Sequence, residues 1–168
     1  MQPAYTLIQG LEEFTAAREQ FAALVNQLQS NQVLRMEHGE VEELITHEGT
    51  ELLRRLLQGH LDLRTVKETK REEVKGPDGV LRRHVREACQ RGLMTLFGEV
   101  TVRRLGYGAR GEGSVFPLDG ELNLPRDSYS HGLRRWLAEE VARSSFDGIV
   151  SKIRGEMKDT SEEARYSV

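Results

Sequence analysis

Seven arginines, Arg82, Arg83, Arg86, Arg91, Arg103, Arg104 and Arg110, crowd the middle of this chain. A guanidinium is a planar fork that donates two parallel hydrogen bonds to phosphate oxygens, so a row of them suits a nucleic-acid backbone. The local charge agrees. Residues 64–110 carry 12 basic and 6 acidic groups, whereas residues 1–63 carry 4 and 10, and residues 111–168 carry 8 and 11. The asymmetry predicts a polyanion-facing segment inside an acidic scaffold. The competing assignment is structural: the same arginines pair with Glu87, Glu99 and the acidic helices.

Catalytic chemistry finds little support. The sequence holds no GxxxxGK[ST], no GxSxG and no HExxH, so the minimal parts of nucleotide hydrolysis, serine hydrolysis and zincin chemistry are missing. His38, His47, His60, His84 and His131 lack ligand spacing, and the lone Cys89 has no second thiol to pair with. Glu42, Glu43, Glu139 and Glu140 read as solvated helix faces, and Asp119 and Asp147 as turn or helix-start residues. No catalytic residue, metal, cofactor or small-molecule substrate is expected.

Any phosphate-binding row needs elements to hold it. From Leu11 to Leu28 the apolar residues Leu11, Phe14, Phe21, Leu24, Val25 and Leu28 recur at helical spacing, and Ser30-Asn31 makes a stop. After Gly39, Val41, Leu44, Ile45, Leu52, Leu53, Leu56, Leu57 and Leu63 form a wide stripe predicting a second helix that runs to about Glu73. Gly49 and Gly59 within it signal close approach by a neighbouring helix or a local bend. Two such leucine-rich helices can pair with each other or with a second copy of the chain.

Lys75-Gly76-Pro77-Asp78-Gly79 is a turn cluster, after which the period changes. Leu93–Leu105 reads as two short strands joined at Phe97-Gly98-Glu99, and Gly106–Gly113 as a flexible loop. Phe116-Pro117-Leu118-Asp119 and Leu122-Asn123-Leu124-Pro125 predict an irregular segment anchored by its apolar residues. Ser128 or Ser130 caps a third helix with Leu133, Trp136, Leu137 and Val141 on one face, and Phe146, Ile149, Val150 and Ile153 begin a fourth. The polar residues beyond Arg154 predict a frayed tail.

The expected fold is therefore α+β and mainly helical. It comprises a helical region that is a candidate for self-association (1–75), a basic β-hairpin with a glycine-rich loop (76–113), an anchored loop with a helix pair like a partial helix-turn-helix (114–154), and a tail (155–168). A mean hydropathy of −0.55 and the absence of an apolar run near ~18 residues exclude a membrane helix. Met1–Ile8 lacks the pattern of a secretory signal, so a cytoplasmic, or if DNA-binding a nucleoid-associated, location is expected.

The run Thr95-Leu96-Phe97-Gly98-Glu99-Val100-Thr101-Val102-Arg103-Arg104-Leu105-Gly106-Tyr107 is followed in order by Phe116–Asp119, Leu122–Pro125, Tyr129–Leu133 and Ser145–Asp147. Together with Glu42, Leu52, Leu56, Leu57, Leu61, Asp62 and Arg64 before it, this series resembles the N-terminal region of bacterial insertion-sequence transposases of the ISKra type. The resemblance covers roughly residues 10–153. It implies a family of DDE-type enzymes that bind element ends and move them by metal-dependent strand transfer, with the catalytic domain downstream of this region. Past Ile153 the similarity fades, and Arg154–Ser161 stand where a glycine-containing turn and a recognition helix are expected, as in a truncation or frameshift. The implied role is non-catalytic: DNA end binding, self-association, or both, with DNA, a second copy or a full-length transposase as partner. The alternative is a helical interaction or dimerisation module that does not bind DNA, such as an inhibitor of a full-length transposase. Arg82, Arg83, Arg86, Arg91, Arg103, Arg104 and Arg110 are the expected phosphate contacts.

Overall fold

The acidic N-terminal third folds as two helices in sequence. In the computed structural model, which describes residues 12–143, a 3-10 turn at Glu12–Phe14 leads into helix α1 (Thr15–Leu28). A second turn at Val33–Arg35 leads into the long helix α2 (His38–Val66). The Glu40 carboxylate accepts the Glu37 backbone N–H at 2.8 Å and so satisfies one of the donors a helix start leaves open.

Two of the three glycines of α2, Gly49 and Gly59, have different environments. A Cβ on Gly59 would stand 2.7 Å from the Glu13 carbonyl and 2.9 Å from the Phe14 ring, so the bare backbone is what lets the start of α1 close onto α2. Gly49 has open space beside it. The close approach expected from the sequence therefore occurs at one glycine only. Helix α2 also stops earlier than Glu73. Beyond Val66 the Glu68 carboxylate accepts the Leu105 N–H at 2.8 Å and the Arg71 N–H donates to the Tyr107 hydroxyl at 2.9 Å, tying this stretch to a strand.

Strands β1 (Val74–Lys75) and β2 (Leu81–Arg82) form a short hairpin around Gly76-Pro77-Asp78-Gly79, with Gly79 at φ +79°. Strands β3 (His84–Thr95) and β4 (Gly98–Gly108) form a longer antiparallel ribbon, in register from His84 opposite Gly108 to Thr95 opposite Gly98. A bulge interrupts it between Arg86 and Cys89, where Ala88 takes φ +56°. The hairpin thus extends well beyond the expected Leu93–Leu105, and Gly106 and Gly108 belong to β4 rather than to a loop. At Gly106 the reason is packing. A Cβ there would lie 2.9 Å from the Phe116 ring and 3.0 Å from Cys89 Sγ.

The segment expected to be irregular contains a short helix, α3 (Pro117–Glu121), whose Leu118 is buried. Leu122 and Leu124 after it, with Leu57 of α2, pack on a core of Leu61, Leu93, Val100 and Val102. The anchoring expected of these apolar residues is the arrangement found. The described residues up to Ser130 form one compact unit and those from His131 belong to a second, so the segment from 114 to 130 groups with the hairpin. In the second unit, helix α4 (His131–Arg143) carries Leu133, Trp136, Leu137 and Val141 at the expected helical spacing. The fourth helix over Phe146–Ile153 and the tail over 155–168 lie outside the described residues.

The architecture is α+β and mainly helical, with two small antiparallel hairpins. No described helix is long and apolar enough to cross a membrane.

Candidate functional site

Side chains alternate across a strand, so Val100 and Val102, which face the core, put Arg104 on the same face. Arg104 is 6% exposed. Its Nε lies 2.7 Å from Asp119 Oδ1, and its guanidinium sits 4.2 Å over the Phe116 ring. Opposite Val102 in the register, Arg91 is half-buried, with Nη2 donating to the Pro125 carbonyl at 2.7 Å and Nη1 3.8 Å from Asp119 Oδ2. Asp119 is thus the shared anion of two strand arginines, and it pins α3 to the ribbon.

Arg82, 3% exposed, makes a bidentate fork to Asp78 (2.9 and 2.6 Å) and donates through Nε to the Gly113 carbonyl at 2.8 Å. It locks the β1–β2 turn and joins it to the loop after β4. The fork holds the Asp78 carboxyl well below the usual carboxylate range. Arg103, on the other face of β4, pairs with Asp62 of α2 at 3.0 Å, and Arg83 pairs with Glu73 at 2.9 Å while remaining largely exposed. Arg86 and Arg110 are exposed and make no ion pair among the described residues.

The expectation of seven arginines on one open surface is therefore corrected. Arg82 and Arg104 are buried structural cations, and Arg91 and Arg103 are occupied in joining elements. Arg83, Arg86 and Arg110 flank the open end of the β3–β4 ribbon: Arg83 precedes β3, Arg86 stands opposite Gly106, and Arg110 follows β4. These three face solvent, as does about half of Arg103 beside its Asp62 partner. Coulombic attraction of a phosphate needs exposed charge, so this end of the ribbon is where a polyanion would be met.

The sequence reading missed a polar row on α2. Arg54 Nη1 reaches the Glu99 carbonyl at 3.4 Å. Gln58 accepts the Thr101 N–H at 2.8 Å and donates to the Thr101 carbonyl at 2.9 Å. Thr65 Oγ1 donates to the Arg103 carbonyl at 2.6 Å. With Glu68 on the Leu105 N–H, side chains from the helix side satisfy the open edge of β4, which would otherwise invite another strand. The spacing 54, 58, 65 is helical and was visible, but nothing in the sequence told which edge it would meet. Arg54 and Arg55 both bond Glu51 and lower its carboxyl pKa to about 2.

Glu68 is shifted the other way. Burial raises its carboxyl pKa against the Leu105 N–H bond, and its second oxygen has no partner. An acid raised in the fold contributes stability below its unfolded pKa and loses that contribution as pH rises through the folded value. Glu68→Gln keeps the acceptor for Leu105 and removes the charge. It is expected to raise the melting temperature at pH 7, the gain shrinking as pH falls through the carboxylate range. Parallel melts of the two proteins at pH 4 and pH 7 check this.

Among the described residues no group of three or more His, Cys, Asp and Glu side chains could hold a metal ion. No family model, curated protein or solved structure matches the chain.

Proposed function

We propose that this chain works as the DNA-binding, non-catalytic region of an insertion-sequence transposase of the ISKra type, the part that precedes the catalytic domain in that family. The observation that carries the reading is the open end of the β3–β4 ribbon, where Arg86 and Arg110 stand exposed without an ion pair and Arg83 is largely exposed beside them. In support, several of the segments that resemble the family are spatial neighbours: the ribbon, Leu118 of α3, Leu122 and Leu124, and the leucine-rich α2 share one packed unit.

The test is a mobility-shift titration at two salt concentrations with a mixed-sequence duplex. Contacts to two or three phosphates predict a log–log salt slope of roughly −2 to −3. Arg86→Glu with Arg110→Glu should weaken binding about tenfold or more across sequences without lowering the melting temperature. Absence of binding at low salt, or binding indifferent to the double reversal, rejects the reading.

A second reading, a helical self-association module, is favoured by a separate observation. Helix α2 leaves Ile45 (44%), Leu53 (45%) and Leu56 (41%) exposed along one side, and Phe21 (54%) of α1 is exposed as well. Exposed apolar side chains in a row mark contact surfaces more often than isolated ones do.

A further inference from the structure

The apolar face of α2 has a definite period. Ile45, Gly49, Leu52, Leu56, Gly59, Leu63 and Val66 follow one another at alternating steps of four and three, which is the seam of a coiled coil. Gly59 is covered by Phe14 of α1, while Ile45 and Leu56 are exposed and Leu52 and Leu63 half-buried. Helix α1 therefore occupies one flank of the seam only. At 100° per residue, Arg54, Gln58, Leu61 and Thr65, which meet the ribbon, lie on the opposite side of the helix from Ile45, Leu56 and Leu63.

We infer that this seam is closed by a second copy of the chain, its α2 lying antiparallel to the first about a twofold axis near residue 54. The inference rests on the self-association reading and adds the occupant and its direction. Two features select a second copy in this orientation.

The first is charge. From residue 37 to residue 51 the helix and its cap carry six glutamates and no lysine or arginine, whereas residues 52–67 carry Arg54, Arg55, Arg64 and Lys67 against Asp62; Arg54 and Arg55 are paired with Glu51 and Arg64 with Glu121, and Lys67 stands exposed. A parallel pair would set acid against acid. An antiparallel pair sets Glu42 of each copy against Lys67 of the other, which is self-complementary under a twofold operation. Glu42 and Lys67, both exposed, lie on the same flank of the seam and come level with each other across the axis.

The second is shape. Ile45 and Leu63, Leu52 and Leu56, and Gly49 and Gly59 are three pairs equidistant from residue 54. An antiparallel partner therefore puts leucine against leucine at the centre and isoleucine against leucine outside it. It also puts the open backbone of Gly49 opposite Gly59 of the other copy, the residue its own Phe14 covers. A bulky ring then meets a bare backbone, which gives Gly49, open within its own fold, a role.

Sedimentation of the full chain without DNA, over a range of concentrations, is the test. The wild type should form a dimer. Leu56→Asp, at an exposed position, should give a monomer with unchanged circular dichroism. Glu42→Lys alone and Lys67→Glu alone should each raise the dimer Kd by roughly tenfold, since each change affects two symmetric contacts. The Glu42→Lys/Lys67→Glu double variant should restore it. A monomeric wild type overturns the inference. A dimer lost in Leu56→Asp but indifferent to the charge swap overturns the antiparallel register and leaves self-association standing. Because no DNA is present, failure here leaves the DNA-binding reading untouched, and a dimer that fails to shift DNA removes only that reading.

Discussion

Arg104→Ala is expected to destabilise the fold by about 3 kcal/mol, in the range measured when one partner of a buried ion pair is removed. The change leaves Asp119, itself largely buried, facing the half-buried Arg91 at 3.8 Å as its remaining cation among the described residues, and it strips the Phe116 ring of the guanidinium stacked on it. Urea unfolding gives the figure directly. Arg104→Met/Asp119→Leu should recover most of the loss, because an apolar pair of similar volume needs no desolvation of charge. The outcome also separates two roles for arginine on one ribbon. Arg104→Ala should lower stability, and Arg110→Glu should lower DNA affinity with the melt unchanged. If Arg104→Ala unfolds at the same urea concentration as the wild type, the structural role assigned to it is wrong.

The second large effect falls at Gly59. Gly59→Val places a branched side chain where the Glu13 carbonyl and Phe14 ring already stand within 3 Å of a Cβ, so α1 must move off α2. A cost of about 2 kcal/mol is expected, as for overpacking elsewhere. Gly39→Ala in the same helix meets nothing within 4 Å and should stabilise by about 0.5 kcal/mol through the unfolded state. Opposite signs at two glycines of one helix, measured by thermal unfolding, are the signature sought. Equal effects would mean that Phe14 and the Glu13 carbonyl do not press on Gly59.

Much of the burial pattern was legible from the chain. The alternation Val100, Val102, Arg104 on one strand and Arg91, Leu93, Thr95 on its partner already places two arginines on the apolar face, and reading the strand period through to its charged members would have removed them from the phosphate set. Arg82 carried no such signal. Its burial depends on the Gly113 carbonyl, thirty-one residues away, coming beside the turn that Asp78 closes. The ribbon's true length was hidden for a related reason. Glycines at 106 and 108 read as loop residues when taken locally, but Gly106 is bare because Phe116 and Cys89 press against it from distant parts of the chain.

From its residues alone, this protein's class as a mainly helical α+β chain, its two leucine-rich helices, its turn at Gly76–Gly79 and its basic centre could be derived, because periodicity, turn chemistry and charge are local properties of the sequence. Which arginines remain open to a polyanion and which are spent within the fold was decided only when α3 and α2 delivered Asp119 and Asp62 to the strands. An ion pair between distant residues depends on where the chain returns in space, and neither composition nor spacing carries that information.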